Sequence, residues 1–173
     1  METELVTYRP EFAIDFKNLN LQWIEKYFTV EVKDIEQLSQ PVTKILEPGG
    51  EIFFVRRGQK TLGTCAMIPV SAGVYEIAKM AVAPEAQGLG LGDRLMRACV
   101  EWANAKKATK IIILSNTVLE PAIALYKKHG FKTTHLGKHP DYDRCNIEME
   151  LILEQDQYTE NKKQTAGANP NPA

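Results

Sequence analysis

The chain has 173 residues, of which 44% are hydrophobic and 25% charged, with a formal net charge of −1. This composition is typical of a globular protein, and the near-neutral charge excludes any global attraction to nucleic acid or to an anionic membrane surface. No apolar run reaches the roughly 20 residues that span a bilayer, no signal peptide is visible, and the three scattered cysteines are too few for a disulfide framework, so we expect a cytoplasmic protein.

The first predicted elements are a strand over residues 5–9 and a helix after Pro10, in which apolar residues recur at helical spacing. We expect this helix to bury its aromatic residues: Phe12, Phe16, Trp23 and Tyr27. A hairpin over residues 51–70 turns at Gly58, and a further strand over residues 74–83 is stopped by Pro84.

The second half alternates helices with strands. It predicts a helix from about 89 to 106 with Cys99 near its apolar side, a buried strand 110–115, a helix 120–129 and closing strands near 131–137 and 146–153. Residues 1–155 are therefore predicted to form an α/β or α+β domain with a central mixed sheet. The composition of residues 156–173 is typical of a disordered tail.

Three glycines interrupt the chain just before the helix predicted from residue 89, in the stretch QGLGLGD, which we call the glycine turn (residues 87–93). A helix N-terminus presents unpaired N–H groups and a partial positive charge, so bare backbone there favours a phosphate site. The order of residues in the glycine turn excludes two common phosphate-binding motifs. A P-loop would need Lys and Ser or Thr after Gly92, and the dinucleotide fingerprint read from Gly88 would need glycine where Asp93 stands.

A third pattern fits the glycine turn. VAPEAQGLGLGDRL resembles the coenzyme A loop of GCN5-related N-acetyltransferases, the GNAT superfamily, with Gln87, Gly90 and Gly92 at its defining positions. Downstream, AIALYKKHGF resembles a second segment of the same family, in the same order along the chain. The resemblance implies a mixed, mostly antiparallel sheet of six or seven strands flanked by helices, and acetyl-CoA as co-substrate.

The resemblance also implies how acetyl-CoA is bound. The pyrophosphate would lie on backbone amides of the glycine turn, and the pantetheine on the backbone of the preceding strand. These roles fall on Met80, Ala81, Val82, Gln87, Gly88, Leu89, Gly90, Leu91, Gly92 and Asp93. The acidic side chain of Asp93 suits a diphosphate poorly and is expected instead to cap or favour the helix N-terminus.

Two residues are implied in catalysis. Tyr126 corresponds to the general acid of many members, although its place before Gly130 also fits a helix C-cap that packs on Phe131. Glu76 lies where some members place a catalytic base, and strand alternation predicts that it shares a face with Ala78, Met80 and Val82. Water is the alternative base, and His135 or His139 is a fallback.

The remaining expectations are less specific. The family often has Asn where Leu119 stands, so Asn116 is the substitute expected to reach the cofactor or the substrate. The spacing of His135, His139, Asp141, Asp143 and Cys145 matches no zinc pattern, and we predict no metal site. The acceptor is an unidentified amine of a small molecule or a protein, and a homodimer is left open. The alternatives are a non-catalytic acetyl-CoA-binding module and transfer of another acyl group.

Overall fold

Seven strands form one sheet in the structure, a computed structural model that describes residues 2–154. Their bounds are β1 Glu4–Thr7, β2 Glu51–Arg57, β3 Lys60–Ser71, β4 Val74–Val82, β5 Lys110–Ser115, β6 Lys132–Leu136 and β7 Ile147–Ile152. They lie in the order β1-β2-β3-β4-β5-β7-β6, and all neighbours are antiparallel except β4 and β5. The predicted mixed, mostly antiparallel sheet is confirmed. The tail predicted over 156–173 lies outside the described residues.

Helices cover both faces of this sheet: α1 Ala13–Tyr27, α2 Val32–Ser39, α3 Leu91–Ala105 and α4 Glu120–Lys128. The alternation of β2 separates two apolar clusters, because Phe54 packs on Phe16 of α1 while Phe53 belongs to the cluster of α3. The burial predicted for Cys99 is confirmed, and its Sγ lies 3.7 Å from that of Cys65.

The first helical segment differs in detail from its prediction. β1 ends at Thr7, and a single 3₁₀ turn over Pro10–Phe12 precedes α1, because proline suits a helical first turn but donates no hydrogen bond. Phe16 is fully buried, whereas Tyr27 is exposed, so the prediction that this helix buries all its aromatics is wrong for Tyr27.

Residues 32–46, for which the sequence predicts no element, form α2 and a π-helical turn over Val42–Leu46. The backbone N–H of Glu31 donates to Oδ2 of Asp34 (2.9 Å), which satisfies one amide at the start of α2. An acidic residue three positions after the N-cap residue Glu31 was the available signal. This missed helix supplies a residue that borders the site described below.

A β-bulge lies in β4 at Lys79. The register pairs Thr64 with Ala81 but Ala66 with Ala78, so β4 carries one extra residue between the two pairs. Lys79 has a φ of +52°, the left-handed region, which costs an ordinary L-residue roughly 1–2 kcal/mol. The bulge changes which residues of β4 face each helical layer.

Beyond the start of β4, the sheet opens. β4 and β5 pair in parallel only as far as Glu76 and Ile112, and no pairing between the two strands follows among the described residues. A cleft therefore forms in the middle of the sheet, between the carboxyl-terminal halves of β4 and β5. The glycine turn follows the carboxyl end of β4 after a single 3₁₀ turn over Pro84–Ala86.

Candidate active site

The glycine turn presents bare backbone to open space. Gly88 and Gly90 have φ values of +80° and +77°, and a Cβ on either glycine would meet no atom within 4 Å. α3 begins at Leu91 rather than near Leu89, because both left-handed glycines precede it. The N–H groups of residues 88–93 donate no hydrogen bond to another described residue. Such a row of unpaired amides at a helix N-terminus suits a phosphate.

The third glycine has a packing role. A Cβ at Gly92 would lie 3.1 Å from Cδ2 of Leu125, so glycine allows α4 to approach the first turn of α3. Asp93 lies in the first turn of α3, where a negative charge favours the helix N-terminus as predicted, but its side chain makes no capping hydrogen bond. Asp93 instead accepts a hydrogen bond from Lys128 Nζ (2.9 Å) and lies 2.7 Å from His129 Nε2, and these contacts lower its pKa.

The cleft has a volume of about 200 Å³. Its walls come from five parts of the chain, and they bring together residues that are far apart in sequence. Its lining includes Trp23, Phe28, Glu76, Ile77, Ala78, Lys79, Met80, Ile113, Leu114, Ser115, Asn116, Leu119, Ala122, Tyr126, Tyr142, Arg144 and Cys145. The structure thus places both predicted catalytic residues, Tyr126 and Glu76, in one cleft.

The end of β4 offers backbone hydrogen-bonding groups toward this cleft. Ala81 and Val82 pair with Thr64 and Gly63 of β3, whereas the edge of β4 toward β5 pairs with no strand of residues 2–154 from residue 77 onward. An open strand edge can bind an extended ligand through the main chain. Met80 also lines the cleft, so the segment predicted to contact pantetheine is available for that role.

Tyr126 lines the cleft from α4 and is half-buried. Burial raises the pKa of its phenol to about 12, although a hydrogen bond with the Ser115 side chain acts in the opposite direction. Its carbonyl accepts the Phe131 N–H (3.1 Å), and the two rings pack with centroids 6.5 Å apart. Tyr126 can therefore end α4 and line the cleft at once, because its contact with Phe131 uses only the main chain and one face of the ring.

Glu76 lines the cleft at the point where β4 and β5 separate. Its carboxylate forms no hydrogen bond with residues 2–154, and burial raises its pKa, although the charge of Lys79 opposes this effect. The prediction that Glu76 shares a face with Met80 and Val82 is wrong, because the bulge at Lys79 reverses the alternation. Ala78 packs with the α1 cluster, whereas Met80 and Val82 pack with the α3 cluster.

Asn116 also lines the cleft, but its side-chain amide is engaged by the main chain. Nδ2 donates to the carbonyl of Arg144 (2.6 Å), and Oδ1 accepts the N–H of Val118 (2.9 Å). The residue therefore holds the loop before β7 against the end of β5. Its expected contact with a cofactor or a substrate stays a prediction.

An ionic cluster that the sequence analysis missed borders the cleft: Glu31, Asp34, Lys79 and Arg144. Arg144 binds both carboxylate oxygens of Asp34 (2.5 and 2.6 Å), and Lys79 Nζ donates to Oδ1 at 2.6 Å. Arg144 also donates to Glu31 (3.1 Å). Burial would raise the pKa of Asp34, but the two cations outweigh it and hold that pKa at about 2. The signal that could have revealed the cluster was a lysine within an apolar strand.

The two fallback bases lie elsewhere. His135 is exposed on β6 and His139 lies in the loop before β7, and neither belongs to the cleft lining.

Burial raises the pKa of the Cys145 thiol, which does line the cleft, to about 11. No group of three metal-ligating side chains occurs within residues 2–154, and none of the described helices is both long and apolar enough to cross a membrane.

Comparisons with known proteins agree with this architecture. The model of the GNAT acetyltransferase domain matches residues 48–133. A Schizosaccharomyces pombe protein described as an uncharacterized N-acetyltransferase is 30% identical over 148 residues, which cover 81% of this chain and 90% of that protein. A Bacillus subtilis protein, named provisionally as a ribosomal protein bS18 alanine N-acetyltransferase, is 27% identical over 79% of this chain and 91% of its own.

A solved structure shows the same fold. The crystal structure of a GNAT-family acetyltransferase from Staphylococcus aureus Mu50 superposes with a TM-score of 0.80. The alignment covers 88% of this chain and 100% of that one, at 17% sequence identity. At this identity the likeness concerns the fold alone, including the mixed sheet with its flanking helices.

Proposed function

Because the chain belongs to the GNAT acetyltransferase family, we propose that it transfers the acetyl group of acetyl-CoA directly to a primary amine. The observation that carries this proposal is that one strand, β4, connects the two features that the reaction needs. Met80 of β4 lines the cleft, which holds an acid and a base candidate, and the glycine turn, whose amides are unpaired among the described residues, follows the end of the same strand. A non-catalytic binding module would need the glycine turn but not the acid and the base.

The residues present fit acetyl-CoA. The space beside Gly88 and Gly90 is open where a Cβ would point, and residues 88–93 have unpaired N–H groups, so the pyrophosphate is assigned to this turn. The pantetheine is assigned to the open edge of Met80, Ala81 and Val82. Bound there, acetyl-CoA would supply the thioester whose carbonyl carbon the amine attacks and whose sulfur leaves.

Tyr126 is the proposed general acid. With a pKa of about 12, its phenol stays protonated at every physiological pH and is ready to donate to the leaving sulfur. A thiolate whose thiol has a pKa near 8.5 is a weaker base than the tyrosinate of Tyr126. Complete proton transfer from Tyr126 to a free thiolate would therefore be uphill by about 5 kcal/mol. We therefore propose that the phenol stabilises the developing charge as the carbon–sulfur bond breaks, and that protonation is completed with solvent.

Glu76 is the proposed base, acting on the amine directly or through water. An alkylamine of pKa near 10 is mostly protonated at neutral pH and must lose a proton to attack. Burial makes Glu76 a stronger base than an exposed glutamate, and its carboxylate has no hydrogen-bond partner among the described residues. Glu76 is half-buried and its carboxylate lines the cleft without a hydrogen-bond partner among the described residues, so a cationic acceptor amine would stabilise it.

The aromatic lining of the cleft is proposed to set the acceptor class. Trp23 and Phe28 meet edge to face, with ring centroids 6.4 Å apart, and Tyr142 of the loop before β7 also lines the cleft. These rings suit an amine that carries an apolar or aromatic group. Both small amines and the N-termini of peptides remain candidates, and the name of the Bacillus subtilis relative makes an alanine N-terminus one member to include.

A coenzyme A release assay tests the proposal. The purified chain is incubated with acetyl-CoA and a panel of arylalkylamines, aliphatic polyamines, amino acids and peptides with defined N-termini, and free thiol is measured. We expect amine-dependent release that is strongly reduced in Tyr126→Phe. Tight binding of acetyl-CoA without amine-dependent release would favour the binding module, and release only from a longer acyl-CoA would favour transfer of another acyl group.

A further inference from the structure

Lys79 is a buried lysine in an unusual backbone position. Its side chain is 3% exposed, and its ammonium is bonded to the fully buried Asp34 at 2.6 Å. The residue has a φ of +52°, which glycine adopts without strain. If the bulge alone mattered, glycine would form it and avoid both the strain and the desolvation of an ammonium group. The lysine side chain must therefore contribute something that glycine lacks.

Asp34 connects three parts of the chain that border the cleft. It lies on α2, and its carboxylate accepts hydrogen bonds from Lys79 at the bulge and from Arg144 in the loop before β7. The bidentate Arg144 pair fixes the orientation of that carboxylate. The carboxylate in turn fixes the Lys79 ammonium, so the position of the positive charge is set by the fold.

Glu76 lies three residues before Lys79 in β4, and both residues line the cleft, so the fixed charge acts on the Glu76 carboxylate. Four charged side chains from the elements around it act on its carboxylate: Lys79 at the bulge, Lys33 on α2, Asp141 before β7 and Glu148 on β7. Of the two cations, Lys79 has the larger effect and is buried, whereas Lys33 is exposed and forms an ion pair with Asp141 at 3.5 Å. Lys79 is thus the principal cation that favours an ionised Glu76.

We propose that Lys79 is a positioning residue for Glu76: anchored by Asp34, it holds the β4 bulge and places a fixed positive charge beside the Glu76 carboxylate in the cleft. This inference rests on the proposed function, because it assigns Lys79 a task only if Glu76 acts as the base.

The test follows the protonation of Glu76 directly and needs no acceptor. The carboxyl carbon of Glu76 is observed by ¹³C NMR in the full chain labelled at glutamate, with Glu76→Gln identifying the signal, and its titration is compared among variants. In Lys79→Met the midpoint moves to higher pH, because a nearby opposite charge is lost. In Lys79→Arg, which keeps the charge, the midpoint stays near the wild-type position.

Lys33→Met is the matched control, since it removes an exposed lysine from the same surroundings, and we expect a smaller shift. An unchanged midpoint in folded Lys79→Met, or an equal shift in Lys79→Arg, would overturn the inference. A merely structural lysine would lower the melting temperature without moving this titration. Should Lys79→Met fail to fold, Lys79→Gly removes the same charge without backbone strain and carries the same expectation.

Kinetics separate this inference from the proposed function. With a working acceptor, Lys79→Met lowers kcat/KM about tenfold on the acidic side of the profile, while the KM for acetyl-CoA stays unchanged. If no amine is acetylated, the role of Glu76 as base fails, and the assignment of Lys79 fails with it whatever the titration shows. If turnover is normal and the titration does not shift, only the inference about Lys79 fails.

Discussion

Asp34→Asn removes the charge at the centre of the ionic cluster while keeping the shape of the side chain. Asp34 is fully buried, and its two oxygens accept hydrogen bonds from Lys79 and Arg144. The substitution leaves both cations facing a neutral amide whose NH₂ group is a donor in place of an acceptor. We expect a substantial loss of stability and a disturbed acceptor side of the cleft.

The pKa of Asp34 gives the magnitude. It is about 2 in the folded chain against an ordinary value of 3.8, a difference that corresponds to about 2 kcal/mol. Because the folded pKa lies below the unfolded one, this stabilisation is complete above about pH 4 and is lost as the pH falls through about 2. Breaking a buried ion pair typically costs about 3–5 kcal/mol, so we expect Asp34→Asn to lose about 3 kcal/mol at pH 7.

Urea unfolding at several pH values measures both effects. The wild type should lose stability between pH 4 and pH 2 more steeply than Asp34→Asn, since the variant lacks the titrating carboxyl group. Asp143→Asn is the control, because its ion pair with Lys138 is exposed on both sides and should contribute little. A loss below about 1 kcal/mol for Asp34→Asn at pH 7 would refute the account of a buried, tightly bonded cluster.

Three further changes test the site. Tyr126→Phe should lower kcat about 10²-fold and leave the affinity for acetyl-CoA unchanged in calorimetry; an unaltered kcat would remove the acid role. Gly90→Glu should abolish acetyl-CoA binding by placing a carboxylate in the phosphate site, whereas Gly49→Glu, also at a left-handed glycine with open space, should retain it. Glu76→Gln should remove the acidic limb of the pH profile of kcat/KM. It should also raise stability at neutral pH, because the raised pKa means that ionised Glu76 destabilises the fold. A less stable variant would contradict this interpretation of the Glu76 pKa.

Much of the fold follows from local patterns in the sequence. The apolar strand at 110–115 and the amphipathic helix of Leu95 and Cys99 were predicted because burial selects apolar residues at a fixed spacing. The glycine turn was identified from its three glycines, because glycine at a helix start indicates a need for bare backbone, and the structure adds that Gly88 and Gly90 are left-handed. These features depend on neighbouring residues and are therefore visible in one sequence.

The bulge and the ionic cluster could not be predicted in this way. A lysine such as Lys79 does not indicate left-handed backbone in a sequence. Strand alternation therefore predicted Glu76 and Met80 on one face of the sheet, whereas the bulge places them on opposite faces. The partners Asp34 and Arg144 are 110 positions apart, and no local pattern links them. The acceptor side of the cleft is built from such long-range contacts, which is why its chemistry emerged only from the structure.

The most direct test of the account is the fate of the acetyl group. Acetyl-CoA labelled with ¹³C in the acetyl group is incubated with the chain and an active amine, and the amine, the coenzyme A and the intact protein are analysed by mass spectrometry. Direct transfer predicts one labelled N-acetyl product for each coenzyme A released and no label on the protein. Label retained on the protein, at Cys145 or elsewhere, or coenzyme A released without an N-acetyl product, would contradict it.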